Sequence, residues 1–298
     1  MGERNCPCGI PLHHLIISLY PALKICAPRI QIAQESPDPN RVALLISHPA
    51  HELFVWGWLQ RFRPTVYVLT TGSSYGKPSR LARTEALLTE LNCGKGDVFG
   101  ALHDQTLYRD LLEGKTTRLV DIAHRLAQSL VDNRIQTVVG DAAEGEILTH
   151  DVWRAMIDTA VQLAQSRVGQ EIQNLEFQLE RHEFQSTSWV HIEKLDTERL
   201  NNKVDSIRRY VEVSSESDRI IALRGLDSLQ YETLSLSQSA AQWLVPKSEQ
   251  TGYERHAAEL VRSGRYREKI QLDRHVLPFV QLLASECDRA QWKLAKAS

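Results

Sequence analysis

The sequence predicts an α/β fold, a mostly parallel Rossmann-like sheet flanked by helices, with added helices toward the C-terminus. Three observations predict it. Residues 42–47 (VALLIS) form a continuous apolar run, the pattern of a strand buried on both faces. Such runs alternate along the chain with long helical patterns, the rhythm of βαβ units. The 298 residues, 42% of them hydrophobic and 24% charged, are enough for one sizeable core without disulfides.

The elements follow in order. Residues 1–40 read as an N-terminal extension and linker, because residues 35–40 (ESPDPN) are polar and their prolines block regular structure. The main domain then spans 41–298. After the first strand, residues 49–62 suit a helix, with Pro49 in a first turn where its missing N–H costs nothing. Residues 65–70 (TVYVLT) are β-branched and aromatic and read as the second strand. Residues 79–92 are helical, stopped by Gly94 and Gly96, and 97–102 form a short third strand. Leu119, Ile122, Leu126 and Leu130 share one side of a helix over 117–132. Residues 136–140 (QTVVG) are the fourth strand, followed by a helix over 150–165. Farther on the pattern weakens: strands are expected at 174–180 and 188–192, and helices at 196–210, 253–262 and 275–285. From about residue 216 the chain reads as a C-terminal helical region without legible chemistry.

Charge and composition narrow the function classes. A formal net charge of -2 gives no general reason to bind nucleic acid or an anionic membrane, and the basic cluster Arg262, Arg265, Arg267 and Lys269 reads as a solvated helix face. No run reaches the roughly 18 apolar residues that span a bilayer. The five cysteines lack a disulfide-like spacing, which suits reduced thiols in a cytoplasmic protein. A homo-oligomer is compatible with the sequence. No Gly-x-Gly-x-x-Gly follows the first strand, so a dinucleotide site lacks support.

In open α/β sheets ligands bind beyond the carboxyl ends of the strands. After the first strand come Ser47, His48, Pro49, Ala50, His51 and Glu52; after the fourth come Asp141, Glu144, Glu146, Thr149, His150 and Asp151. On a helix, residues three apart share a face, so His48 and His51 can converge on one ion, and His150 stands at a comparable junction. Three protein ligands with one open position suit a catalytic zinc. The bland reading of each histidine is a capping or packing residue.

Residues 48–52 (HPAHE) after an apolar strand resemble the His-Pro-Asp-Asp-Glu signature of the PIG-L/LmbE family, mostly zinc-dependent deacetylases of N-acetylated sugars and related amides. Residues 145–151 (GEILTHD) align without gaps with the family's second motif, Gly-Gly-His-Pro-Asp-His-Asp. The similarity covers roughly residues 41–215, through Arg80 and the helix around Lys203. It implies an LmbE-like fold and Zn2+, or another divalent transition metal, on His48, His51 and His150, with His51 replacing an aspartate ligand. It also exposes two departures. Ala50 stands where the family has its general base, and Ile147 where it has a histidine at the oxyanion.

The expected activity is therefore metal-dependent hydrolysis of an amide, an N-deacetylation of a sugar or related small molecule. Asp141 or Glu52 would serve as the catalytic carboxylate, and Arg80 and Glu144 would bind a small N-acetylated substrate. Asp151 would cap a helix or orient a histidine, and Trp56, Trp58 and Trp153 would stack on a sugar or fill the core. The alternative is a catalytically inactive relative that binds a metal or glycan.

Overall fold

The computed structural model describes residues 41–73, 78–179, 189–210 and 229–297. The expected extension and linker at 1–40, with three of the five cysteines, lies outside the described residues. The remaining two, Cys93 and Cys287, are free thiols.

Seven strands form one sheet: β1 (Val42–Ile46), β2 (Thr65–Thr70), β3 (Gly94–Leu102), β4 (Thr137–Asp141), β5 (Gln173–Phe177), β6 (Trp189–Lys194) and β7 (Tyr231–Leu236). Their lateral order is β3-β2-β1-β4-β5-β7-β6. The first five pair in parallel; β7 runs antiparallel to both β5 and β6. The predicted α/β class is thus the observed one.

Helices cover both faces of the sheet, and β1 shows why. Its five residues are all buried, and alternate side chains point to opposite faces. Ala43 and Leu45 join a core with α3 (Asp104–Leu112), α4 (Thr117–Asp132), α5 (Leu148–Val168) and α9 (Leu277–Ala297). Val42, Leu44 and Ile46 join another with α1 (Trp56–Phe62), α2 (Leu81–Glu90) and α6 (Thr197–Arg209). Two further helices, α7 (Ser239–Trp243) and α8 (Gly252–Arg262), follow β7. Among the described residues no helix is long and apolar enough to cross a membrane.

Several boundaries differ from the sequence reading. The helix expected over 49–62 is α-helical only from Trp56; His51–Val55 form a 3-10 turn, because Ala50 takes a left-handed conformation at φ 87. His48 and His51 therefore stand on a turn and not on one helical face. Gly94 and Gly96 do not stop α2 but lie within β3; a Cβ on Gly96 would sit 2.3 Å from the Tyr67 ring, so the strand needs glycine for close approach. Neither α3 nor β7 was expected. The C-terminal stretch read as helical thus also supplies a strand, β7, between β5 and β6. After a π-helical turn at Leu272–Val276, α9 runs well beyond the expected 275–285. Trp56, Trp58 and Trp153 are at most 2% exposed, which makes them core and removes them as sugar-stacking surfaces.

Candidate metal centre

The chain crosses from one side of β1 to the other between β3 and β4, so the sheet has its topological switch at β1 and β4. At such a point in an open α/β sheet adjacent loops diverge, and ligands bind beyond the carboxyl ends of the strands. The β1 loop brings His48 and His51. The start of α5, after β4, brings His150 as its third residue, with Ile147 at the cap. The imidazole centroids lie 5.1 Å apart for His48–His51, 5.3 Å for His48–His150 and 4.7 Å for His51–His150. Each ring offers one nitrogen, and these three atoms lie within 4.8 Å of one another.

Each loop is held in shape by a buried carboxylate. Glu52 accepts the Ala50 N–H at 2.8 Å on Oε2; its Oε1 accepts the hydroxyls of Thr84, at 2.8 Å, and of Tyr210. Burial pushes the Glu52 carboxyl above its ordinary value, against these hydrogen bonds. Both oxygens brace the turn that carries His48 and His51. Asp151 does the same for the β4–α5 loop: its Oδ1 accepts the N–H groups of Glu144 and Gly145 at 2.9 and 3.1 Å. It ties the loop instead of orienting His150.

Asp141 ends β4 fully buried. Its Oδ2 accepts the Ser47 N–H at 2.7 Å and holds His51 Nδ1 at 2.9 Å. Burial alone would raise the carboxyl, but His51, His150 and the Ser47 bond lower it to about 2. At neutral pH it is a fixed anion beside His51. On the other side Asp104 Oδ1 lies 2.5 Å from His48 Nε2 and accepts the Thr149 hydroxyl at 3.4 Å. Burial opposes ionisation here as well, yet the hydrogen bond and charge of His48 bring the carboxyl below its usual value.

The donor set fits a divalent transition metal. His150 is buried, its pKa is driven well below the ordinary value first by desolvation and then by the two neighbouring imidazoles, and its Nδ1 has no hydrogen-bond partner. A neutral imidazole is the form that ligates, and all-imidazole sites suit zinc, copper or nickel.

The remaining sequence-predicted residues stand around this cluster. Arg80 lies beside the loops after β1 and β2: a Cβ on Gly72, whose φ is +62, would meet the Arg80 guanidinium at 2.6 Å and Pro49 Cδ at 2.9 Å. Glu85, in α2, pairs with Lys95 at 2.6 Å. Glu144 is buried and accepts the Leu179 N–H at 2.6 Å. Asp104 and its neighbour His103 were missed. His103 Nδ1 lies 3.0 Å from Thr71 Oγ1 and 2.9 Å from Ser73 Oγ, at the end of β2. The signal was available: both residues directly follow the third strand, at the same edge of the sheet as the loops after the first and fourth.

No family model matches the chain, and no curated protein matches it in sequence. Among solved structures, one similar chain is a deacetylase triple mutant involved in the teicoplanin biosynthetic pathway. It is 14% identical with a TM-score of 0.42, over 66% of this chain and 97% of that one. Another is the zinc-inhibited form of teicoplanin deacetylase, 14% identical with a TM-score of 0.39, over 74% of this chain and 94% of that one. Likeness at this level carries no argument about function, which rests on the residues of the site.

Proposed function

We propose that the chain is a metal-dependent hydrolase of an amide, an N-deacetylase acting on a sugar or related small polar molecule. One observation carries the reading: His48, His51 and His150 bring three ligand atoms within 4.8 Å of one another at the switch point of the sheet. The resemblance of residues 48–52 and 145–151 to the PIG-L/LmbE motifs supplies the reaction class. Zn2+ or a similar ion held there would polarise an acyl carbonyl and acidify a water.

The chain's own groups have separate tasks in this reading. Asp141 holds His51 at Nδ1, and Glu52 keeps the His48–His51 turn in place. Arg80, beside Gly72 and Pro49 of the β2 and β1 loops, would meet polar groups of a substrate, and Glu144 would shape the loop after β4. Proton transfer falls to Asp141 or another nearby carboxylate. Asp141 Oδ2 already holds the Ser47 N–H and His51, which leaves Oδ1 alone to take a proton, so slow turnover is expected.

The same weakness favours a second reading. Ala50 brings no acceptor, both oxygens of Glu52 are committed to hydrogen bonds, and Asp141 Oδ2 holds Ser47 and His51, as in a protein that binds metal or a glycan without hydrolysis.

Elemental analysis of purified wild type, His48→Ala and His150→Ala tests the centre. About one ion per chain, lost in both variants, is the expected result. Acetate release from N-acetylated hexosamines then separates the readings. Thermal stabilisation by such a sugar without acetate release would favour binding over hydrolysis. A wild type that takes up no metal after reconstitution would refute both metal readings.

A further inference from the structure

The three histidines do not stand alone. His51 has one ring nitrogen, Nδ1, held by Asp141 at 2.9 Å, and His48 has one, Nε2, held by Asp104 at 2.5 Å. Asp104 reaches the site from a third strand end, as the first residue of α3 directly after β3. Its position at the start of a helix favours the ionised carboxylate. The Thr149 hydroxyl, on the same helix as His150, donates to the same oxygen at 3.4 Å. The carboxylate thus joins the β1 turn, the β3 end and the first turn of α5. Yet the group of mutually close donor atoms comprises the three histidines, and Asp104 stands outside it.

We propose that Asp104 is a positioning residue of the metal centre: its carboxylate fixes His48 through Nε2, so that Nδ1 is the nitrogen His48 presents to the ion. The inference rests on the reading of His48, His51 and His150 as ligands. A carboxylate on the outer nitrogen of a ligating imidazole selects the tautomer, sets the ring plane and raises the basicity of the inner nitrogen. Among the described residues, His48 Nδ1 meets the Ser47 hydroxyl at 3.1 Å, a contact that rotation of the hydroxyl releases. On this proposal His51 follows the same plan with the nitrogens exchanged: Asp141 holds Nδ1, which leaves Nε2 for the ion. The two pairs differ in access: the Asp104 side chain is 26% exposed and that of Asp141 is 0%. Asp104 is therefore the member of the pairing that can be replaced with little disturbance to the core.

The experiment compares wild type, Asp104→Asn, Asp104→Ala and His48→Ala, each stripped of metal and titrated with Zn2+ against a chelator. The Co2+-loaded forms report the donor set through their visible bands. Asp104→Ala is expected to bind Zn2+ about 10–100-fold more weakly than wild type. Asp104→Asn, which keeps an acceptor for Nε2–H, is expected to recover part of that loss. The Co2+ bands should shift while keeping wild-type intensity, because no ligand is lost. Affinity in Asp104→Ala equal to wild type would overturn the proposal. So would loss as complete as in His48→Ala with a changed band intensity, the mark of a direct ligand. If wild type binds neither ion, the ligand reading itself fails, a result distinct from either.

Discussion

Glu52 was assigned from sequence to catalysis, and its geometry makes it a brace, so its replacement separates the two roles. The side chain is fully buried and serves three donors: the Ala50 N–H, the Thr84 hydroxyl and the Tyr210 hydroxyl. Glu52→Ala strands all three. A buried donor left without a partner costs about 1–3 kcal/mol, although the two hydroxyls can rotate toward other acceptors. The expected loss is about 3–5 kcal/mol, a large part of the roughly 5–15 kcal/mol that holds an ordinary domain together. Glu52→Gln keeps an oxygen for the Ala50 N–H and turns its amide toward hydroxyls that can accept, so about 1 kcal/mol is expected. Urea unfolding followed by tryptophan fluorescence measures both. Metal affinity should follow stability, because the braced turn carries His48 and His51. A Glu52→Ala loss below about 1 kcal/mol would refute the bracing argument. A Glu52→Gln protein that folds and binds metal like wild type but loses all turnover would return Glu52 to catalysis.

Three further outcomes are expected. Ala50 sits at φ 87, a region that costs an L-residue roughly 1–2 kcal/mol and that aspartate enters more readily, so Ala50→Asp should fold at least as well as wild type. If the family's base position is preserved, the same variant should raise acetate release at least about tenfold; unchanged turnover in a metal-loaded variant would refute that equivalence. Lys203 is 2% exposed and pairs at 2.8 Å with Glu232, which also accepts the Gly57 and Trp58 N–H groups, so Lys203→Met should cost about 3–5 kcal/mol in urea unfolding by leaving a buried charge unpaired. Adding Glu232→Gln should recover part of that loss. Burial raises the Glu176 carboxyl above 4.5 in the folded chain, despite Arg154 and Ser239. The folded state therefore holds that proton more tightly; its stabilising effect is complete below pH 4.5 and is lost as pH rises through the folded value. Wild-type stability should accordingly fall relative to Glu176→Gln above pH 4.5, and a difference independent of pH would contradict the assignment.

What could be read in the sequence depended on how locally each feature is determined. The central strands were legible because burial on both faces leaves them almost without polar residues, and α4 because its apolar stripe is regular from Leu119 to Leu130. β7 was not. Its sequence, YETLSL, carries a glutamate that looks solvent-facing, yet Glu232 is buried because Lys203 and two backbone N–H groups meet it there. The left-handed Ala50 was equally hidden, since alanine ordinarily continues a helix; only Glu52, Thr84 and Tyr210, brought from three separate elements, show what holds the turn open.

The metal-type histidines were legible as residue types at strand ends, while the carboxylates that hold them were not. Chain order tells which residues follow β1, β3 and β4, but the pairing of Asp141 with His51 and of Asp104 with His48 spans 90 and 56 residues and depends on the lateral order β3-β2-β1-β4. That order sets β1 between β3 and β4, so its loop receives one carboxylate from each side. The arrangement has a consequence for how the site tolerates change. Ala50 and Ile147 remove two groups that the resemblance would lead one to expect, yet neither belongs to the two carboxylate–imidazole pairs. On the proposed reading, a chain with those pairs and without such groups can hold an ion without turning over. Metal affinity and turnover are thus separable here, and metal affinity is the property to measure first.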